Sequence, residues 1–221
     1  ALILKFFLHT PAKEQKKKLK KAAKDPHAGW QVDQRDWAAL DSLGPVLPIA
    51  ERILRETSGP GAPWTIVEST DPRYRDLTVA RTILAALTAR LAQRPGPLGP
   101  ALAESVLGDF DAEANVLSGI DLTKTLSGQE YRAQLAKEQA KLKKLSLEAR
   151  RRGVSSVLAF EGWDAAGKGG VIRRITGALE AGDYRVIPVA APTEEERRYH
   201  YLWRFWRDLP PAGKVVIFDR T

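Results

Sequence analysis

Residues 155–170 read Ser155-Ser156-Val157-Leu158-Ala159-Phe160-Glu161-Gly162-Trp163-Asp164-Ala165-Ala166-Gly167-Lys168-Gly169-Gly170. The apolar run Ser155 to Phe160, bounded by Gly153 and Gly162, predicts a short buried strand. Gly162 to Lys168 fits the G-x-x-x-x-G-K phosphate loop, and Val171, Ile172, Ile175 and Leu179 then recur at the spacing of a helix that faces a sheet. Strand, loop and helix follow in the order that phosphate binding requires. The glycines Gly162, Gly167, Gly169 and Gly170, with Ala165 and Ala166 between them, let backbone N–H groups converge on an anion. The helix N-terminus adds its positive end and Lys168 a full charge. A tight strand-to-helix turn with a solvated lysine would also fit, but it leaves the surrounding pattern unexplained.

One position departs from the common loop. Gly169 stands where a Ser or Thr hydroxyl would hold magnesium. Asp164, a carboxylate inside a site built for anions, should repel phosphate unless a cation lies between them. The expectation is that Asp164 has taken over the metal's ligation.

Downstream, Tyr184 to Ala190 predicts a second strand. Thr193 to Glu196 opens a predicted helix with acidic residues in its first turn. On that helix Leu202, Phe205, Trp206 and Leu209 would form a buried stripe, and Arg197, His200, Arg204 and Arg207 would gather opposite. A row of guanidiniums on one face suits several phosphates. Lys214 to Phe218 predicts a strand ending in Asp219-Arg220. An apolar strand with a terminal aspartate about fifty residues after a phosphate loop is the second half of that machinery, a carboxylate delivered beside the metal.

Upstream, Leu2 to Leu8 is apolar enough for a buried strand. Residues 12–24 predict a very basic helix in which Leu19 is almost the only apolar residue, ended by Asp25-Pro26. Trp37 to Glu56 predicts a helix interrupted by Gly44-Pro45 and Pro48, Trp64 to Val67 a strand, and Pro72 to about Gln93 a helix. The Pro/Gly-rich segment 94–100 reads as a linker, and 101–126 carries no clear pattern. Ser127 and Glu130 form a capping box for a helix to about Arg152, with Leu135, Leu142 and Leu145 inward.

The 221 residues could make one large domain or two small ones, and the net charge of +8 points to an anionic partner. There is no cysteine and no apolar run of membrane-spanning length, and the first residues do not form a signal peptide. No membrane partner and a cytoplasmic location are the expectations. Without a methionine and opening directly on a strand, the chain reads as a piece of a longer protein.

Taken together, these residues resemble the family-2 polyphosphate kinases. Gly162 to Gly170 matches that family's loop, Asp164 and Gly169 included. Pro192-Thr193, Leu202-Trp203-Arg204 and Asp219-Arg220 fall where the family has similar segments. The first ninety-odd residues resemble the family's carboxy-terminal half, through the strand at Leu2 to Phe7, the basic helix, Asp25, Pro26 and Trp30, and Ala62-Pro63-Trp64. The chain is therefore similar to the back half of one kinase lobe (1–95) joined through a connection (96–126) to the front half of a second (127–221), as in the tandem two-lobe members. Ala28 and Gln31 depart from the basic lid of the family, which implies a structural or regulatory rather than a catalytic first lobe.

The resemblance implies a three-layer α/β/α phosphate-loop kinase fold with a parallel sheet. It implies Mg2+- or Mn2+-dependent transfer of a phosphoryl group from inorganic polyphosphate to AMP. Lys168 and the loop would hold phosphates, Asp164 and Asp219 the metal, and Arg220 and Arg204 the spreading charge, with Arg173 and Arg174 either joining them or lying on a solvated helix face. Polyphosphate and an adenine nucleotide are the expected partners, nucleic acid is not expected, and a homo-oligomer stays open. Two alternatives use the same residues: an ATP-dependent nucleotide or small-molecule kinase, and a non-catalytic polyanion-binding module.

Overall fold

In Leu2–His9 (β1) the side chains of Leu2, Leu4, Phe6 and Leu8 serve one side of the sheet and Phe7 the other, as a two-residue period requires. Ser156–Gly162 (β3) repeats this with Leu158 and Phe160 opposite Val157, and Val215–Asp219 (β5) with Ile217 opposite Val216 and Phe218. Phe6 and Phe160 stack with ring centroids 5.1 Å apart, tying the two middle strands together. Phe6, Leu8, Phe160 and Ile217 are fully buried. Each such side chain is worth about 1.5–3 kcal/mol over leaving it in water.

The computed structural model describes residues 1–24, 34–93, 117 and 119–220. The chain runs β1, α1 (Ala12–Ala23), α2 (Gln34–Asp41), α3 (Leu43–Glu56), β2 (Trp64–Glu68) and α4 (Pro72–Ala92). Then come α5 (Gly128–Arg151), β3, α6 (Lys168–Thr176), β4 (Tyr184–Pro188), α7 (Trp203–Trp206) and β5. All five strands join one sheet in the order β2-β1-β3-β5-β4, and every pairing is parallel. Strands from residues 2–68 and from residues 156–219 thus share one sheet, joined where β1 pairs with β3.

Helices cover both faces. On one, Val79, Ile83, Leu84, Leu87 and Leu91 of α4 pack with Leu142 and Ala149 of α5 and Val171, Ile172 and Ile175 of α6. On the other, Leu47, Ala50 and Leu54 of α3 meet Phe7 and Trp64, and Phe205 of α7 meets Val157, Val216 and Phe218. The result is a three-layer α/β/α arrangement, whose all-parallel sheet needs cover on both sides.

Local signals account for the starts of two helices. Ser127 and Glu130 make the reciprocal capping box that starts α5, and Asp71 accepts from the Arg73 N–H ahead of α4, with Pro72 at its first position. The predicted helix over Trp37 to Glu56 is split, α2 ending at Asp41 and α3 starting at Leu43. Pro45 lies in the first turn of α3, where no amide donor is needed, and Pro48 stays inside the helix. Asp25-Pro26, Ala28, Trp30, Gln31, the 94–100 linker and most of 101–126 lie outside the described residues.

One expectation is corrected. There is no long helix from Thr193. A 3-10 turn spans Glu196–Arg198, Tyr199 is extended, and α7 has only four residues. The supposed buried stripe is largely outside: Leu202 is 41%, Trp206 55% and Leu209 50% exposed, leaving Phe205 to face the sheet. The aromatic rings stack on one another instead, Tyr199 on Trp203 at 4.3 Å and His200 on Trp206 at 5.6 Å. Ring pairing along the surface satisfies them without a continuous helix.

Candidate active site

The site lies at the carboxyl ends of β1, β3 and β5. Leu8 pairs with Gly162, and a Cβ on Gly162 would fall on the Leu8 backbone; its φ of +143° also excludes most side chains. Only glycine lets β3 pass β1 there. The loop then turns through Ala165 (φ 60°) and Gly167 (φ 93°), with the Ala166 N–H donating to the Trp163 carbonyl at 3.1 Å. Non-glycine residues in that region mark a backbone held by its surroundings. The first bond within α6 runs from the Val171 N–H to the Gly167 carbonyl at 3.1 Å. The amides of Lys168, Gly169 and Gly170 precede it and have no acceptor within the helix. Those three donors and the helix dipole are what binding an anion there would require.

Lys168 is only 8% exposed and donates to the Gly162 carbonyl at 2.7 Å and the Trp163 carbonyl at 3.1 Å. Its ammonium braces the loop from within. Burial lowers its pKa below the ordinary 10.5, and the Arg220 charge lowers it further, against the opposing pull of Asp164, Asp219 and Glu161.

Asp219 pairs with Phe160 in the β3–β5 ladder, which sets it one strand away from the loop. Arg220 follows in a left-handed conformation (φ 75°), its N–H donating to the Phe160 carbonyl at 2.9 Å. That turn sends its side chain to the loop, where Nη2 donates to Oδ1 of Asp164 at 3.3 Å. The Asp219 Oδ1 is shielded from solvent and has no hydrogen-bond partner among the described residues. A buried carboxylate oxygen without a donor fits a cation. Magnesium takes one or two carboxylates and completes its shell with water and substrate phosphate, and Asp164 and Asp219 fit that demand. Among the described residues no three carboxylate or histidine side chains gather into a closed metal centre.

The predicted arginines separate. Arg220 reaches the loop, whereas Arg204 donates to the Ala190 carbonyl at 2.8 Å and pairs with Glu196 at 3.5 Å. Arg207 also turns to Glu196 and to Asp208. Arg173 is exposed on α6, and Arg174 donates to the Tyr131 hydroxyl at 3.2 Å. Three contacts are not legible in the sequence. The His9 Nδ1 accepts from the Trp163 indole at 3.1 Å, Arg75 reaches the Ala166 carbonyl at 3.0 Å, and Lys18 of α1 donates to the Ser69 carbonyl at 2.8 Å. These contacts span 154, 91 and 51 residues, and nothing in the local pattern announces them.

The family model described as Polyphosphate kinase 2 (PPK2) matches residues 1–95 and 125–221, most of the chain. The chain belongs to the polyphosphate kinase 2 family. Relatives of this polyphosphate kinase 2 chain include the polyphosphate:AMP phosphotransferase of Pseudomonas aeruginosa, 43% identical over the whole chain and 44% of that protein. The ADP-polyphosphate phosphotransferase 3 of Rhizobium meliloti is 40% identical over 51% of the chain and 39% of that protein. The crystal structure of polyphosphate kinase 2 from Arthrobacter aurescens is 28% identical, with a TM-score of 0.46 over 51% of the chain and 42% of that chain. The chain thus spans less than half the length of the curated relatives that match all of it. No helix among the described residues is long and apolar enough to cross a membrane.

Proposed function

We propose that the protein carrying this chain transfers a phosphoryl group from inorganic polyphosphate to AMP, forming ADP. The observation that carries the reading is the cluster of Lys168, the loop amides, Asp164, Asp219 and Arg220 at adjacent strand ends in a polyphosphate kinase 2 chain. The 43% identity to a polyphosphate:AMP phosphotransferase supports AMP as the acceptor.

An oxygen of the AMP phosphate attacks the terminal phosphorus of the polyphosphate in line. The bridging P–O bond breaks, and the electron pair leaves with a polyphosphate shorter by one unit. The loop amides and Lys168 hold the donor phosphates, and Lys168 exchanges its two loop carbonyls for phosphate oxygens. Arg220 leaves Asp164 and meets the charge spreading over the transferring group. Asp164 and Asp219 would hold magnesium or manganese. When bound, that ion supplies charge neutralisation between phosphates. Arg204 and Arg173 stand outside this cluster, and the proposal gives the transferring phosphate to Lys168 and Arg220.

The test is an assay of the full-length protein with polyphosphate or ATP as donor and AMP, ADP, GMP or GDP as acceptor. The expected product is ADP from polyphosphate and AMP. Transfer from ATP alone, or polyphosphate binding with no turnover on any acceptor, would reject the proposal.

A further inference from the structure

We propose that Arg75 is a positioning residue that sets the shape of the phosphate loop from the opposite part of the chain. This rests on the reading of Gly162 to Gly170 as the phosphate seat. Arg75 occupies the first turn of α4, yet its side chain is only 6% exposed. Nη1 donates to the Ala166 carbonyl at 3.0 Å, and Nε and Nη2 donate to Oδ1 of Asp76 at 2.9 and 2.7 Å. Oδ2 of Asp76 accepts from the Tyr131 hydroxyl at 2.8 Å, and Arg174 of α6 donates to the same hydroxyl at 3.2 Å. The guanidinium is therefore held by a carboxylate that α5 and α6 hold in turn. A planar fork with fixed donor directions can serve a carbonyl and a carboxylate together, which an ammonium cannot.

The consequence for the loop follows from peptide geometry. In a planar trans unit the carbonyl and the next N–H point opposite ways. Anchoring the Ala166 carbonyl on Arg75 aims the Gly167 N–H away from Arg75. A donor whose direction is fixed beforehand needs no reorganisation when an anion arrives.

The glycines show that the loop is built around this side chain. A Cβ on Gly167 would coincide with the Arg75 guanidinium, and one on Gly170 would stand 3.1 Å from Nη2. A Cβ on Gly169, between them, would meet nothing within 4 Å. Of Gly167, Gly169 and Gly170, the two beside the guanidinium are the crowded ones, and Gly167 needs glycine for its φ of 93° as well.

The test uses the full-length protein, with inorganic triphosphate as the probe and amide hydrogen exchange read at Gly167 in the triphosphate-saturated protein, where the bound anion would protect that N–H. Arg75→Ala is expected to weaken triphosphate binding about tenfold and to speed exchange at Gly167, and Arg75→Lys should not restore either. Gly170→Ala pushes on the guanidinium, so it should weaken binding in the native background and add less than about twofold in the Arg75→Ala background. Native triphosphate binding in Arg75→Ala, or an equal loss from Gly170→Ala in both backgrounds, overturns the inference. Should Arg75→Ala fail to fold, Gly170→Ala decides alone: faster exchange at Gly167 supports the inference and unchanged exchange overturns it. Transfer from polyphosphate to AMP is measured alongside. Its absence in the native protein rejects the proposed reaction, while the triphosphate and exchange results still judge Arg75.

Discussion

The indole N–H of Trp163, inside the phosphate loop, donates to Nδ1 of His9 at the end of the first strand, 3.1 Å away. The bond requires a neutral imidazole, since a protonated one has no lone pair to offer. Burial lowers the His9 pKa below the ordinary 6.5, so the folded protein favours that neutral form. The stability tied to it is complete above pH 6.5 and is lost as the pH falls through the lowered value. Trp163 emission should shift over that acidic window in the native protein, and His9→Phe should remove the shift. An unchanged titration in His9→Phe would assign the transition to another group.

Lys168 predicts the alkaline behaviour. Its pKa is lowered below 10.5, so its charge is lost at a lower pH than a free lysine's. Binding of triphosphate should weaken as the pH rises through that lowered value, before 10.5 is reached. Lys168→Arg keeps its charge throughout, so its binding curve should be flat over the same range. Lys168→Ala should abolish turnover while the protein stays folded. Near-normal activity in Lys168→Ala would move the phosphate seat elsewhere.

Asp164 and Asp219 are expected to act through one ion. Asp164→Asn and Asp219→Asn should each reduce turnover by several kcal/mol of transition-state stabilisation, on the order of a lost metal contact. The double variant should lose much less than the sum. Steady-state rates across a magnesium titration provide the measurement, and chelation should stop the native enzyme. Additive losses would show that the two carboxylates work separately.

Arg204 separates a structural role from a phosphate-binding one. Its guanidinium is committed to Ala190 and Glu196, so Arg204→Ala should remove about 1–2 kcal/mol and lower the melting temperature by a few degrees. Affinity for long polyphosphate should change less than about twofold if that charge stays committed to its protein partners. A selective loss of polyphosphate affinity with unchanged melting would place Arg204 in the polyphosphate path.

The strand, loop and helix of Ser155 to Ile175 were legible because each step is local: an apolar run, glycines at fixed offsets, then a helical period. The capping box at Ser127 was legible for the same reason. The segment after Thr193 misled because helical spacing of large aromatics does not by itself supply a surface to bury them. Glu196 binds the Thr193 N–H and ties up Arg204, closing a turn rather than starting a long helix. Arg75 and His9 were invisible for a different reason. Arg75 lies in a helix and His9 ends a strand, and only the sheet order brings them to the loop.

The β1–β3 pairing also dictates when the protein can become competent. Leu8 and Gly162 are neighbours across that ladder yet 154 positions apart in the chain, so the middle of the sheet forms only by a long-range closure. Loop closure over such separations slows folding, and early collapse must proceed without this ladder. The loop at 162–170 takes its shape from contacts with Leu8, His9 and Arg75, so it should reach that shape only at this closure. In refolding experiments, recovery of triphosphate binding should lag behind recovery of helical signal.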